Sequence, residues 1–137
     1  MTPTTTLVIA AVCFRDERGH VLTVRKRGTS KFMLVGGKLE PGEAPGAAAV
    51  REVAEEVGIE LALADLELLG TFDAEAANEA DTRVASTVYL APLPAGATPT
   101  AAAEIAELAW LDPREAPDRA DLAPLLQHHV LPLLPAA

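Results

Sequence analysis

Residues 37–59 read GKLEPGEAPGAAAVREVAEEVGI, and this stretch decides the reading of the whole chain. Pro45 to Val57 is predicted as a helix. Proline suits a first helical turn, where a missing N–H costs nothing. Gly58 follows the last helical residue, where a left-handed cap is usual. At about 100° per residue, Val50, Val53, Ala54 and Val57 form one apolar stripe. Glu52, Glu55 and Glu56 fall together on the opposite face, alongside the small residues Ala48 and Ala49. Carboxylates at i, i+3 and i+4 repel by a few tenths of a kcal/mol per pair on an exposed helix. Hard divalent cations such as Mg²⁺ take oxygen ligands of this kind and would turn repulsion into binding. Taken alone, though, such a face is more often simply solvated.

On either side of this stretch the chain alternates strands and turns. Leu7 to Phe14 (LVIAAVCF) is a continuous apolar run that reads as a buried strand. A polar turn with Gly19 follows, then Val21 to Val24, which suggests a hairpin with the first strand. Arg25 to Lys31 reads as a basic loop, and Phe32 to Val35 is a short apolar stretch ending in Gly36-Gly37. Leu66 to Phe72 and Arg83 to Leu90 read as strands separated by an acidic, Ala-rich loop, Asp73 to Thr82. Pro92 to Pro99 is a loop and Glu107 to Leu111 a last short strand. Asp121 to Leu134 has near-helical apolar spacing that Pro132 ends or kinks. The order of elements suggests a mixed sheet with helices on both faces.

The 137 residues suit one domain, 1–137, with no internal repeat. Of the hydrophobic half of the chain, 27 residues are Ala, and the rest is an ordinary globular content. The net charge of −9 argues against a nucleic-acid or anionic-membrane binder, which needs clustered positive charge. Lys38 and Arg51 stand against six glutamates between Gly37 and Glu60, so −4 of that charge lies in this one segment. The single cysteine, Cys13, rules out an intramolecular disulfide and reads as a core hydrophobe. Met1 to Thr6 carries no basic residue, and the next apolar run is too short to span a membrane. These features set the expectation of a soluble, cytoplasmic protein.

The central stretch resembles the signature of the Nudix hydrolase family. That signature is G, five residues, E, seven residues, R-E, an aliphatic, any residue, E-E, any residue, G, an aliphatic. Here it falls on Gly37, Glu43, Arg51, Glu52, Val53, Glu55, Glu56, Gly58 and Ile59. The flanks VRKRG, FMLVGGKLEPGE and EIAELAWLDPREAP are similar to the family as well, so the resemblance runs from about Leu7 to about Leu134. Val35 departs from it, standing where the family commonly has Pro before the Gly pair, and is expected to alter loop rigidity more than chemistry.

The resemblance implies an α/β/α sandwich around a central mixed sheet, and hydrolysis of a nucleoside diphosphate linked to some group X with Mg²⁺ or Mn²⁺. It implies Glu52, Glu55, Glu56 and the backbone carbonyl of Gly37 as metal ligands. Glu104 is a further candidate ligand, with Glu107 as its competitor. Arg51 is expected to orient the carboxylates, and Glu43 to act behind them; a salt bridge pinning the loop to the helix would serve that same role. Glu52 is the candidate general base, and Arg51 and Glu55 share the catalytic assignment. Gly37 and Gly42 are expected to permit backbone turns. Arg25, Arg27 and Lys38 are candidates to meet the phosphates, with Lys26 and Lys31 as readily solvated. The loop containing Asn78 is a candidate selector of substrate, and His20, His128 and His129 read as surface residues. The short chain favours a MutT-like enzyme that cleaves a (deoxy)nucleoside triphosphate to the monophosphate and pyrophosphate. The alternatives are an ADP-ribose or nucleotide-sugar pyrophosphatase, or a non-catalytic nucleotide sensor. A small nucleotide is the expected partner, with no nucleic acid and no membrane; a homodimer is common in such a family.

Overall fold

The computed structural model describes residues 4–135. Residues 1–3, on which part of the leader expectation rests, lie outside the described residues, as do residues 136–137. The strands are β1 (Thr5–Phe14), β2 (Val21–Lys26), β3 (Phe32–Met33), β4 (Val35–Lys38), β5 (Glu67–Glu75), β6 (Thr82–Ala91) and β7 (Ile105–Leu111), with helix α1 (Pro45–Val57) between β4 and β5. They form a four-stranded mixed sheet, ordered β4-β1-β6-β5, and a three-stranded sheet, ordered β3-β2-β7. β1 runs parallel to β6, and the other pairings are antiparallel.

The apolar run in β1 has a direct structural cause: both faces of the strand are covered. Ala10, Val12 and Phe14 point into one core, shared with Val53 and Val57 of α1. Ala11 and Cys13 point into a second core, under Leu125, Leu126 and Val130 of the C-terminal segment. Successive strand residues face opposite ways, so a strand sandwiched between two layers must be apolar at every position. The result is the expected α/β/α sandwich. Burial in this apolar layer pushes the Cys13 thiol up to about 12, consistent with an inert core residue.

Two local expectations are corrected. The predicted hairpin of the first two strands is reduced to a single bridge, Arg15 to Val21. Both edges of β1 are already taken, by β4 and β6, so β2 pairs with β7 in the other sheet. The C-terminal helix is shorter than the expected 121–134 span and is wound wide over Leu125–Val130, where the Leu131 N–H donates to the Leu126 carbonyl. Pro132 has no N–H to continue an α-helical ladder and crowds the preceding turn. No helix among the described residues is long and apolar enough to cross a membrane.

Ser86 is 2% exposed, and its Oγ has no hydrogen-bond partner among the described residues. It pairs with Ile9 of β1 and Phe72 of β5 on the face covered by the C-terminal segment. A buried polar group without a partner costs free energy. Ser86→Ala is therefore expected to raise stability by about 1 kcal/mol in urea melts. A loss of stability in that variant would mean the hydroxyl is satisfied.

Candidate active site

Helix α1 spans the predicted residues and is capped as predicted, with Pro45 in its first turn and Gly58 left-handed at φ 70°. Its buried face is rotated from the expected stripe. Ala48, Ala49, Val53, Glu56 and Val57 are buried, while Val50 is half-buried and Ala54 exposed. The small side chains of Ala48 and Ala49 belong to the core shared with β1 and Val35 of β4, where they let the helix approach the sheet. This rotation carries Glu56 inward, so the three glutamates do not share one solvated face.

Glu56 is 2% exposed. Its Oε1 accepts a hydrogen bond of 3.1 Å from the Gly36 N–H, and its buried Oε2 has no partner among the described residues. Burial pushes the carboxyl up to about 7; the Gly36 hydrogen bond works against this shift, and the charge of Glu52 adds to it. Lys26 and Glu104 also bear on this carboxyl, with opposite signs.

Arg51 organises the remaining carboxylates. Its Nε and Nη2 donate to the two Glu43 oxygens at 2.9 and 2.8 Å, a bidentate pair. Nη1 donates to Glu52 at 2.9 Å and to Glu55 at 3.4 Å, and Nη2 also to the Lys38 carbonyl at 3.0 Å. Glu43 in turn accepts the Glu40 N–H at 2.9 Å. The Arg51 bonds, with help from that N–H, hold the Glu43 carboxyl down at about 2. The same contacts, Glu43 first, push the Arg51 guanidinium above its ordinary value. The pinning role and the orienting role expected of Arg51 and Glu43 are one arrangement.

Gly37 departs from its expected part. Gly42 does take a left-handed turn, at φ 75°, but Gly37 does not. A Cβ on Gly37 would lie 2.6 Å from the Glu52 carboxyl carbon, so the glycine makes room for that carboxylate against β4. Glu104 arrives by way of the helix end. The Thr100 and Ala102 N–H groups donate to the Val57 and Glu56 carbonyls, each at 3.0 Å, and hang the loop before β7 on α1. Glu104 then pairs with Lys26 at 3.3 Å, whereas Glu107 pairs with Arg25 at 2.8 Å.

The basic candidates therefore separate. Arg25 is spent on Glu107 and the Thr29 carbonyl, and Arg27 on the Ala103 carbonyl. Lys38 lines a pocket over β1, together with Lys26, for which sequence reasoning left a solvated loop equally open. Lys31 is tied to the Ala120 carbonyl. Among the described residues no three His, Cys, Asp or Glu side chains converge as a preformed cation cage. Arg51 holds Glu52 and Glu55, and Gly36 holds Glu56. The orphaned Glu56 oxygen and the Gly37 cradle nevertheless suit a hard cation, and so does the all-oxygen donor set.

A NUDIX domain model matches residues 5–133. Human diphosphoinositol polyphosphate phosphohydrolase 3-alpha and bovine diphosphoinositol polyphosphate phosphohydrolase 3-beta are each 44% identical to the chain over 66 residues. That stretch is 47% of this chain but only 39% of either relative, well under half their length. Among solved structures, a MutT protein from Methanosarcina mazei Go1 aligns with TM-score 0.73 and 22% identity over 89% of this chain and 88% of that one. Escherichia coli dihydroneopterin triphosphate pyrophosphohydrolase gives 0.71 and 23% over 95% of each. The E. coli ORF135 protein gives 0.68 and 26% over 97% and 89%. At these identities the first two speak to the fold.

The Glu56 carboxyl generates a stability prediction. Its folded-state pKa is raised, so the charged form costs stability above about pH 7. Below its ordinary value of 4.5 the group is protonated whether folded or unfolded, and the cost vanishes. Glu56→Gln in chelator-treated protein is expected to be more stable than wild type by about 1–3 kcal/mol near pH 8, and about equal near pH 4. Urea melts at both pH values check this; a gain that persists at low pH would refute it.

Proposed function

The chain belongs to the family defined by the NUDIX domain, and from that premise we propose that it is a divalent-metal-dependent pyrophosphohydrolase. Its proposed substrate is a nucleoside triphosphate, cleaved to the monophosphate and pyrophosphate. The observation that carries this reading is the carboxylate set gathered by Arg51 at the β4 edge, beside a half-enclosed pocket. Glu52, Glu55, Glu56 and the Gly37 carbonyl would hold the cation, with Glu104 beside them. When bound, Mg²⁺ or Mn²⁺ offsets phosphate charge and acidifies water.

The rest is the work of the chain's own groups. Arg51 keeps Glu52 oriented against Gly37. The Glu52 carboxylate, 14% exposed, accepts a proton from the attacking water in this reading. Attack falls on a phosphorus, and the pyrophosphate departs. Lys26 and Lys38 meet the phosphate oxygens from the pocket side. Lys26 leaves its pairing with Glu104 to do so.

The pocket also bears on the substrate suggested by the curated relatives. A diphosphoinositol polyphosphate carries phosphates on every side and calls for a cationic surround. Lys26 and Lys38 are the cations lining this pocket, and Glu79 stands on its rim. One charged end and an apolar remainder fit a nucleotide better.

Glu55→Gln and Glu56→Gln are each expected to lower turnover of nucleoside triphosphates by about two orders of magnitude or more, with the fold retained by circular dichroism. Full activity in both variants would overturn the site assignment. A panel of nucleotides, nucleotide sugars and inositol pyrophosphates, assayed for released pyrophosphate and phosphate, tests the substrate. Hydrolysis in oxygen-18 water is expected to label a phosphorus of the product; label on carbon would reject attack at phosphate.

A further inference from the structure

The pocket beside the site is strongly graded in polarity. Its floor is Leu7, Ile9 and Ala11 of β1 with Val84 of β6. One end is β4, with Gly36, Gly37 and Lys38; the other is the turn between β5 and β6, with Asn78 and Glu79. Since β4, β1 and β6 are successive neighbours, the two ends lie about two strand spacings apart across the sheet, about 10 Å, and are further offset along it, because Gly37 pairs with Ala10 of β1 while Thr82 pairs with Thr5. Among the described lining residues, Asn78 is the one neutral side chain with hydrogen-bonding groups, and no aromatic ring is present. The turn is held in place. The Ala76 N–H donates to the Thr82 carbonyl at 2.9 Å, and the Thr5 N–H to the Asp81 carbonyl at 3.1 Å. Asp81 takes a left-handed conformation, φ 53°, and Arg83 bonds Asp73 at 2.6 Å.

We propose that Asn78 and Glu79 determine base specificity, reading the polar edge of a nucleobase laid on the apolar floor. The inference rests on the hydrolase reading for placing the phosphates at the β4 end. A carboxamide donates and accepts, whereas a carboxylate only accepts. Guanine answers both: its adjacent N1–H and N2–H groups face a carboxylate, while O6 and N7 accept from the amide. Uracil sets a single N–H between two carbonyls, and these repel the Glu79 oxygens. Flat apolar contact with Leu7, Ile9 and Leu125 replaces aromatic stacking.

Equilibrium binding of GMP and UMP tests this without turnover. Wild type is expected to bind GMP about tenfold or more tighter than UMP. The double variant Asn78→Ala/Glu79→Ala brings the two within about twofold. Glu79→Gln, which keeps the shape of the side chain, weakens GMP and strengthens UMP. A wild-type preference under twofold, or a ratio unchanged in both variants, overturns the proposal. GTP turnover with Mg²⁺ is scored separately. Selective binding without turnover supports base reading and sinks the hydrolase reading, whereas turnover with unselective binding overturns base reading alone.

Discussion

One guanidinium reconciles four carboxylates. Arg51 is only 24% exposed and bonds Glu43, Glu52 and Glu55, with Glu40 at 3.6 Å. Without it, glutamates at successive helical turns would repel one another and leave the helix face unordered. With it, the loop after β4 is pinned to α1, because the same guanidinium also bonds the Lys38 carbonyl. The contact is planar and bidentate toward Glu43, a geometry that lysine cannot reproduce. The shape of the site at the β4 edge depends on this one fork of donors.

Glu56 shows how close the site stands to the core. It shares a helix with Val53 and Val57 and is nearly as buried as they are, yet among the described residues only one of its oxygens finds a partner. Burial of a carboxyl is tolerable when it is protonated or compensated, and costly otherwise. That cost is carried at the edge proposed as the site, where consistency between local preference and fold is expected to fail. Gly36 and Gly37 permit it: one donates its N–H to Glu56, and the other leaves space for Glu52.

Much of the fold was legible. The β1 run of Leu7 to Phe14 announces a strand covered on both faces, and a proline in the first turn and a glycine after the last bound α1 to the residue. The hairpin was misread because adjacency in sequence says nothing about edges already occupied. The rotation of α1 was missed because an ideal wheel weighs valine above alanine. Packing against the sheet instead favoured Ala48 and Ala49, whose small size allows close approach. Lys26 stood open in the sequence, among basic neighbours, and only the fold sets it along the pocket.

The sequence by itself determined most of the strands, helix α1, the spacing of the carboxylates and the family. Each follows from local rules: periodicity, caps, and residue types repeated at intervals that chance rarely produces. Tertiary structure alone decided which carboxylate is buried, which basic residues are spent on structure, and what lies opposite the β4 end of the pocket. Those outcomes depend on strand order and on helix rotation about its own axis. Both are set by contacts between residues far apart in the chain, such as the Gly36 N–H on Glu56 and Glu104 on Lys26.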